Sequence, residues 1–200
     1  MSRWLSVSCT NQIVNVTGNR TNFIKAAGRS RVLKMTFNDS NNLGNHSLSP
    51  EVTIRKGTIE DLEKVVMFNS AMAKETEDIN LPPETAEAGA RAVLEGGVGA
   101  SYYLLELGGT VAAQLMITLE WSDWRASNLW WIQSVYVQPE HRRRGLFKAL
   151  YNHVRREAQA AGAAGLRLYA DITNERAHAA YEGLGMQSHY KVYEDMFTTY

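Results

Sequence analysis

The stretch YVQPEHRRRGLFKALYNHV, Tyr136 to Val154, decides the fold. Its first residues end the run LWWIQSVYV (129–137), whose aromatic and β-branched content predicts a strand, and Pro139 closes that strand. From Gly145 onward the apolar residues Leu146, Phe147, Leu150, Tyr151, Val154 and Ala158 recur at the i, i+4 and i+8 positions of a helical stripe. Between strand and helix stand Arg142, Arg143 and Arg144. Adjacent cations repel, so crowding them at a helix start implies an anion held there. The first helical turn has N–H groups without partners, and the macrodipole adds roughly half a positive charge. Arginines add bidentate donors, and Gly145, lacking a Cβ, lets a ligand approach the main chain. Such a loop suits a diphosphate; the alternative is a solvated basic turn. No Gly-Lys-Ser/Thr follows, which excludes a P-loop, and a dinucleotide loop would need several glycines where only Gly145 stands.

Outward from this segment the punctuation is regular. VTIRKGT (52–58) reads as a short strand. Thr58, with Asp61 three residues on, caps a helix through about Glu75 whose stripe is Leu62, Val65, Val66 and Met72, with Phe68 off it. ETAEAGARAVLEGG (84–97) is a second helix stopped by glycines. SYYLLEL and TVAAQLMITLEW flank Gly108-Gly109, a two-residue hairpin turn. After the long helix, GLRLYA (165–170) reads as a strand, NERAHAAYEGLG (174–185) as a short helix and SHYKVYEDMF (188–197) as a closing strand. The predicted order, β-α-α-β-β-β-α-β-α-β, is a mixed α/β fold, with a mostly antiparallel sheet flanked by helices.

Composition bounds the rest. The chain has 200 residues, 21 basic and 21 acidic side chains and 44% hydrophobic content, ordinary for a globular protein. Residues 1–50 carry six basic side chains against Asp39 alone, leaving 15 basic and 20 acidic in 51–200. They are rich in Ser, Thr, Asn and Gly and read as a flexible extension ahead of a folded domain at 51–200; a transit peptide and a start at Met35 are the alternatives. The only cysteine, Cys9, excludes an intramolecular disulfide and a cysteine-based zinc site, and points to a reducing, cytoplasmic location. No His/Asp/Glu set has metal-ligand spacing, so no metal is expected. Neither a membrane span nor a nucleic-acid surface is expected. His153 and His178 read as surface residues. Self-association as a homodimer is left open.

V-x-P-x-x-R-R-x-G leading into a helix, followed about thirty residues later by N-x-x-A-x-x-x-Y-x-x-x-G-M, resembles the GNAT superfamily of acetyl-CoA-dependent N-acetyltransferases over residues 52–197. The resemblance implies acetyl-CoA as co-substrate and a small-molecule or peptide amine as acceptor, attacked directly in a ternary complex. It places the family pattern Arg/Gln-x-x-Gly-x-Gly/Ala on Arg142, Arg143, Arg144, Gly145, Leu146 and Phe147, with Lys148 next in the helix, as the pyrophosphate site. Phe147 departs from the small residue usual at its position and would tighten the approach. Val135, Tyr136 and Val137 would pair with the pantetheine arm, Asn174 would contact it, and Tyr181 would protonate the leaving thiolate. Tyr181 packed at a helix end is the structural alternative.

The base is less legible. Many relatives carry an acid on the strand before the arginines, but Gln133 and Ser134 stand there. Glu120, beside Trp121 and Trp124, is the best carboxylate if those rings bury it and raise its pKa; an edge carboxylate without catalytic part is the other reading. Glu75, Glu77, Asp78 and Glu84, between the first two helices, would favour a cationic amine. Two further readings stand beside the enzyme: a non-catalytic acyl-CoA-binding module, and a nucleic-acid patch at Arg142–Arg144.

Overall fold

The computed structural model describes residues 51–198; the expectations for residues 1–50 lie outside them. The elements follow the order β1 (Val52–Lys56), α1 (Leu62–Glu77), α2 (Pro83–Leu94), β2 (Ala100–Leu107), β3 (Thr110–Ser122), β4 (Ser127–Val137), α3 (Leu146–Ala160), β5 (Gly165–Arg167) and α4 (Glu175–Glu182). The five strands form one sheet in sequential order. The first three pairings are antiparallel and β4–β5 is parallel.

Local chemistry explains most boundaries. Gly108 and Gly109 have φ of 58° and 83°, the double left-handed turn that joins β2 to β3 without splaying them. Thr58 does start the first helical segment, but through a 3₁₀ turn at Ile59–Asp61. There Asp61 Oδ2 accepts the Thr58 N–H at 2.8 Å, and its two oxygens take both Arg55 terminal nitrogens at 2.7 and 2.8 Å. Hydrogen bonding to Arg55 holds the Asp61 carboxyl below the usual range.

The core lies on both sheet faces. Tyr103, Leu105, Leu115, Ile117 and Ile132 pack under Leu146, Leu150 and Val154 of α3. Tyr102, Leu104, Val111 and Tyr136 face Val65 and Phe68 of α1 and Ala90 of α2. Because both faces are covered, Tyr102–Leu105 is buried without interruption, which hides the period of two.

Two expectations fail. The segment 188–197 forms no strand, and its apolar side chains lie in solvent, Tyr193 at 89% and Phe197 at 92% exposure. Local composition describes one segment, whereas a strand needs a neighbour's ladder, and β5 is itself only three residues long. His153 is not a surface residue. It is buried on α3 with its ring 5.8 Å from that of Tyr103, and desolvation holds its pKa below the ordinary histidine value, with Arg156 adding to the shift and Glu157 opposing it. A base with a depressed folded-state pKa leaves the unfolded chain with more protons below about 6.5, so stability is full above that pH and falls as pH drops below it. Melting temperature followed from pH 7.5 to 5 should therefore decline, and His153→Leu should flatten the decline.

Among the described residues no helix is long and apolar enough to cross a membrane.

Candidate active site

The site begins where the β4–β5 ladder stops. Pairing runs through Leu129–Gly165, Trp130–Leu166 and Trp131–Arg167 and no further, so among the described residues Val135–Val137 has no strand partner on that side. On its other side β4 carries an extra residue: Gln114 opposes Tyr136 and Met116 opposes Gln133, three steps against two. Ser134 absorbs the bulge with φ of 43°, a left-handed value unusual for a residue with a Cβ.

Beyond β4 the chain makes a 3₁₀ turn at Pro139–His141, then reaches α3 through Arg143 (φ 62°) and Gly145 (φ 77°). Gly145 is the N-cap of α3 and has no side chain to cap with. The first helical bond is Ala149 N–H to Gly145 O at 3.0 Å, so the donors of Leu146 to Lys148 precede the ladder. A Cβ built on Gly145 would meet nothing within 4 Å, and the space before it is the cleft.

That cleft holds about 610 Å³ and runs from the last turns of α1 (Met72, Glu75, Thr76) along Val135–Val137, past the start of α3, to α4. Of the expected coenzyme residues, Val135, Tyr136, Val137, Arg142, Arg143, Gly145, Leu146, Phe147, Lys148 and Asn174 line it. Arg144 does not; it is exposed, with Nη1 3.2 Å from His141 Nδ1. Asn174 caps α4, its Oδ1 accepting the Ala177 N–H at 3.1 Å. The Phe147 ring is held 6.3 Å from Tyr151 and 5.7 Å from Tyr181.

The two expected catalytic residues lie outside the cleft wall. Tyr181 packs edge-on against Phe147, between Ala180 and Gly183, which do line the cleft. Burial raises its hydroxyl pKa, and the hydroxyl has no hydrogen-bond partner among the described residues. Glu120 sits in surroundings other than those expected. Trp121 and Trp124 are themselves 63% and 89% exposed near the β3–β4 turn. Instead Glu120 Oε2 accepts from Trp131 Nε1, and Oε1 accepts from Arg167 at 2.9 Å, a brace across β3, β4 and β5.

Two charged cleft residues were not read from sequence as part of the coenzyme site. Arg176 lines the wall from α4, but an arginine in a short helix carries no mark that separates it from a surface one. Glu75 was legible only as one of four acids between two helices; it alone of them lines the cleft. Its Oε1 accepts the Tyr136 hydroxyl at 2.9 Å and its Oε2 accepts Arg142 Nη2 at 2.6 Å.

Comparison with known proteins agrees with this arrangement. Among curated proteins none matches the chain significantly. Among solved structures, a possible acetyltransferase from Clostridium difficile 630 is similar at 37% identity, over 74% of this chain and 99% of that one, with a TM-score of 0.69. The ribosomal-protein-alanine N-acetyltransferase of Brucella melitensis biovar Abortus 2308 shares the fold at 18% identity, over 74% and 99% of the two chains, TM-score 0.62. A predicted acetyltransferase from Clostridium acetobutylicum, solved with acetyl-CoA, shares it at 15% identity, over 72% and 96%, TM-score 0.61. Residues 67–186 match the acetyltransferase (GNAT) family. An interrupted β4–β5 ladder, an uncapped helix start opening on the same cleft and this match together make the chain a member of the GNAT family of acetyltransferases.

Proposed function

We propose that the protein moves the acetyl group of acetyl-CoA to a primary amine of a small molecule or peptide, by direct attack in a ternary complex. The observation that carries this reading is the continuity of one cleft between the unpaired edge of Val135–Val137 and the uncapped start of α3. The residues present fit the coenzyme. Strand donors suit an amide-bearing arm, α3 donors suit a diphosphate, and Arg143, Lys148 and Arg176 add charge within the cleft.

Acetyl-CoA supplies a thioester whose carbonyl carbon accepts the amine. The nitrogen lone pair forms the new C–N bond, the C–S bond breaks, and the thiolate takes a proton. Tyr181, whose chain neighbours Ala180 and Gly183 line the cleft, is the proposed donor, and burial raises its hydroxyl pKa so that it holds its proton across the neutral range. The proton lost by the nitrogen leaves to water or to a base. A lysine-like amine of pKa about 10.4 makes that step necessary. Exposed Glu77 and Asp78 at the end of α1 and Glu84 in the first turn of α2 favour the approach of a cation. The Brucella protein of this fold is named for an alanine amine on a ribosomal protein, so the architecture accommodates amine acceptors. A cytoplasmic location, suggested by the single Cys9, belongs to the same proposal.

Glu120 is the weaker of the two catalytic candidates. Because both oxygens serve the β3–β4–β5 brace and the Arg167 pair is partly exposed, Glu120→Gln should cost about 1 kcal/mol of stability or less and lower turnover less than about threefold. A loss near a hundredfold, measured as kcat, would return the base role to Glu120.

The function is tested by CoA release over a panel of polyamines, aminoglycosides, amino acids and N-terminal peptides. Amine-dependent release, with the N-acetylated product found by mass spectrometry, is expected. Tight acetyl-CoA binding without release by any member would remove the amine acceptor.

A further inference from the structure

Of the two arginines before α3 that line the cleft, Arg142 is the one bonded to protein groups among the described residues. Its Nε donates to Val137 O at 2.9 Å, its Nη2 donates to Glu75 Oε2 at 2.6 Å, and its guanidinium lies 5.5 Å from the Tyr136 ring centre. The Tyr136 hydroxyl closes the cluster on Glu75 Oε1 at 2.9 Å. One side chain thus ties the last turns of α1 to the end of β4, across 67 residues of sequence. Arg143, Lys148 and Arg176 line the same cleft without a hydrogen-bond or ion-pair partner among the described residues. Phosphate therefore has three uncommitted cations and the α3 main chain to meet before it needs Arg142.

We propose that Arg142, Glu75 and Tyr136 form a strut that holds the end of α1, and with it the connection from Asp78 to Pro82, against the coenzyme strand. Arg142 and Glu75 are then positioning residues for the acceptor side and not phosphate ligands. The inference rests on the proposed function in taking β4 as the coenzyme strand. The pair is partly exposed, Arg142 at 36% and Glu75 at 40%, so its contribution to global stability is small and its effect is local order in α1. The guanidinium fork is essential: it satisfies Val137 O and Glu75 from separate nitrogens while stacking on Tyr136, which a single ammonium cannot do.

The test compares Arg142→Ala, Arg142→Lys, Glu75→Ala and the double variant Glu75→Ala/Arg142→Ala with the wild type. Acetyl-CoA affinity is read by calorimetry, backbone order by hydrogen exchange of residues 70–82, and acceptor KM with the best substrate of the amine panel. Each variant should exchange about tenfold faster over 70–82, and the double variant no faster than the singles. Acetyl-CoA Kd should stay within about threefold while amine KM rises about tenfold. Arg142→Lys should behave like Arg142→Ala. A lysine variant indistinguishable from wild type would overturn the strut, and so would an Arg142→Ala protein that binds acetyl-CoA about tenfold more weakly with unaltered exchange. Gly145→Asp tests the coenzyme reading independently, so failure of that reading and failure of the strut are told apart.

Discussion

Gly145→Asp is expected to weaken acetyl-CoA binding about a hundredfold while the protein still folds. The residue stands at the N-cap of α3 with φ of 77°, and an added Cβ meets nothing within 4 Å. Packing is therefore not the cost. The left-handed backbone costs a residue with a Cβ roughly 1–2 kcal/mol, which appears as a few degrees of melting temperature. The carboxylate is the larger effect on binding. A unit negative charge about 5 Å from a diphosphate is opposed by about 3 kcal/mol at an effective dielectric near 20, or about two decades in Kd. Gly145→Ala separates the two, sharing the strain but not the charge, and should lose less than about fivefold in affinity. Calorimetry on the two variants decides it. Unchanged affinity in the aspartate variant would mean that the diphosphate lies elsewhere.

The second large effect is on chemistry. Tyr181→Phe should lower kcat about a hundredfold and leave acetyl-CoA Kd within about twofold, because one proton donor is lost and the ring contact with Phe147 is kept. Among the described residues the hydroxyl has no hydrogen-bond partner to leave stranded, so stability should barely change. Burial raises its pKa, which places any alkaline loss of wild-type activity arising from this group above about pH 10. Pre-steady-state and steady-state rates across pH 6 to 10 test both statements. A phenylalanine variant as fast as wild type would take Tyr181 out of the mechanism.

How much of this was legible before folding follows from the range of each signal. The helical stripe after Gly145 and the Gly108-Gly109 turn were readable because each depends on residues within a turn or two of itself. The same holds for the caps: Asp61 sits three residues after Thr58 and bonds it, although a 3₁₀ turn intervenes. Nine of the eleven residues expected at the coenzyme lie along one cleft because their strand, loop and helix start are contiguous in the chain, and Asn174 joins them from the start of α4.

What failed depended on partners far away in sequence. SHYKVYEDMF (188–197) read as a closing strand, but among the described residues no ladder receives it. Glu120 was placed beside its sequence neighbours Trp121 and Trp124, whereas the fold gives it Trp131 and Arg167. His153 looked like a surface residue on a helix until Tyr103 of β2 covered it. By itself, then, the amino-acid order determined most of the elements, the strand–loop–helix succession around Arg142–Gly145 and the family, all encoded by periodicity and close spacing. Only the tertiary structure decided where β4 parts from β5, and that Arg142 and Tyr136 both close on Glu75. Register and long-range hydrogen bonds are set by which surfaces pack together, and no local window of residues contains that choice.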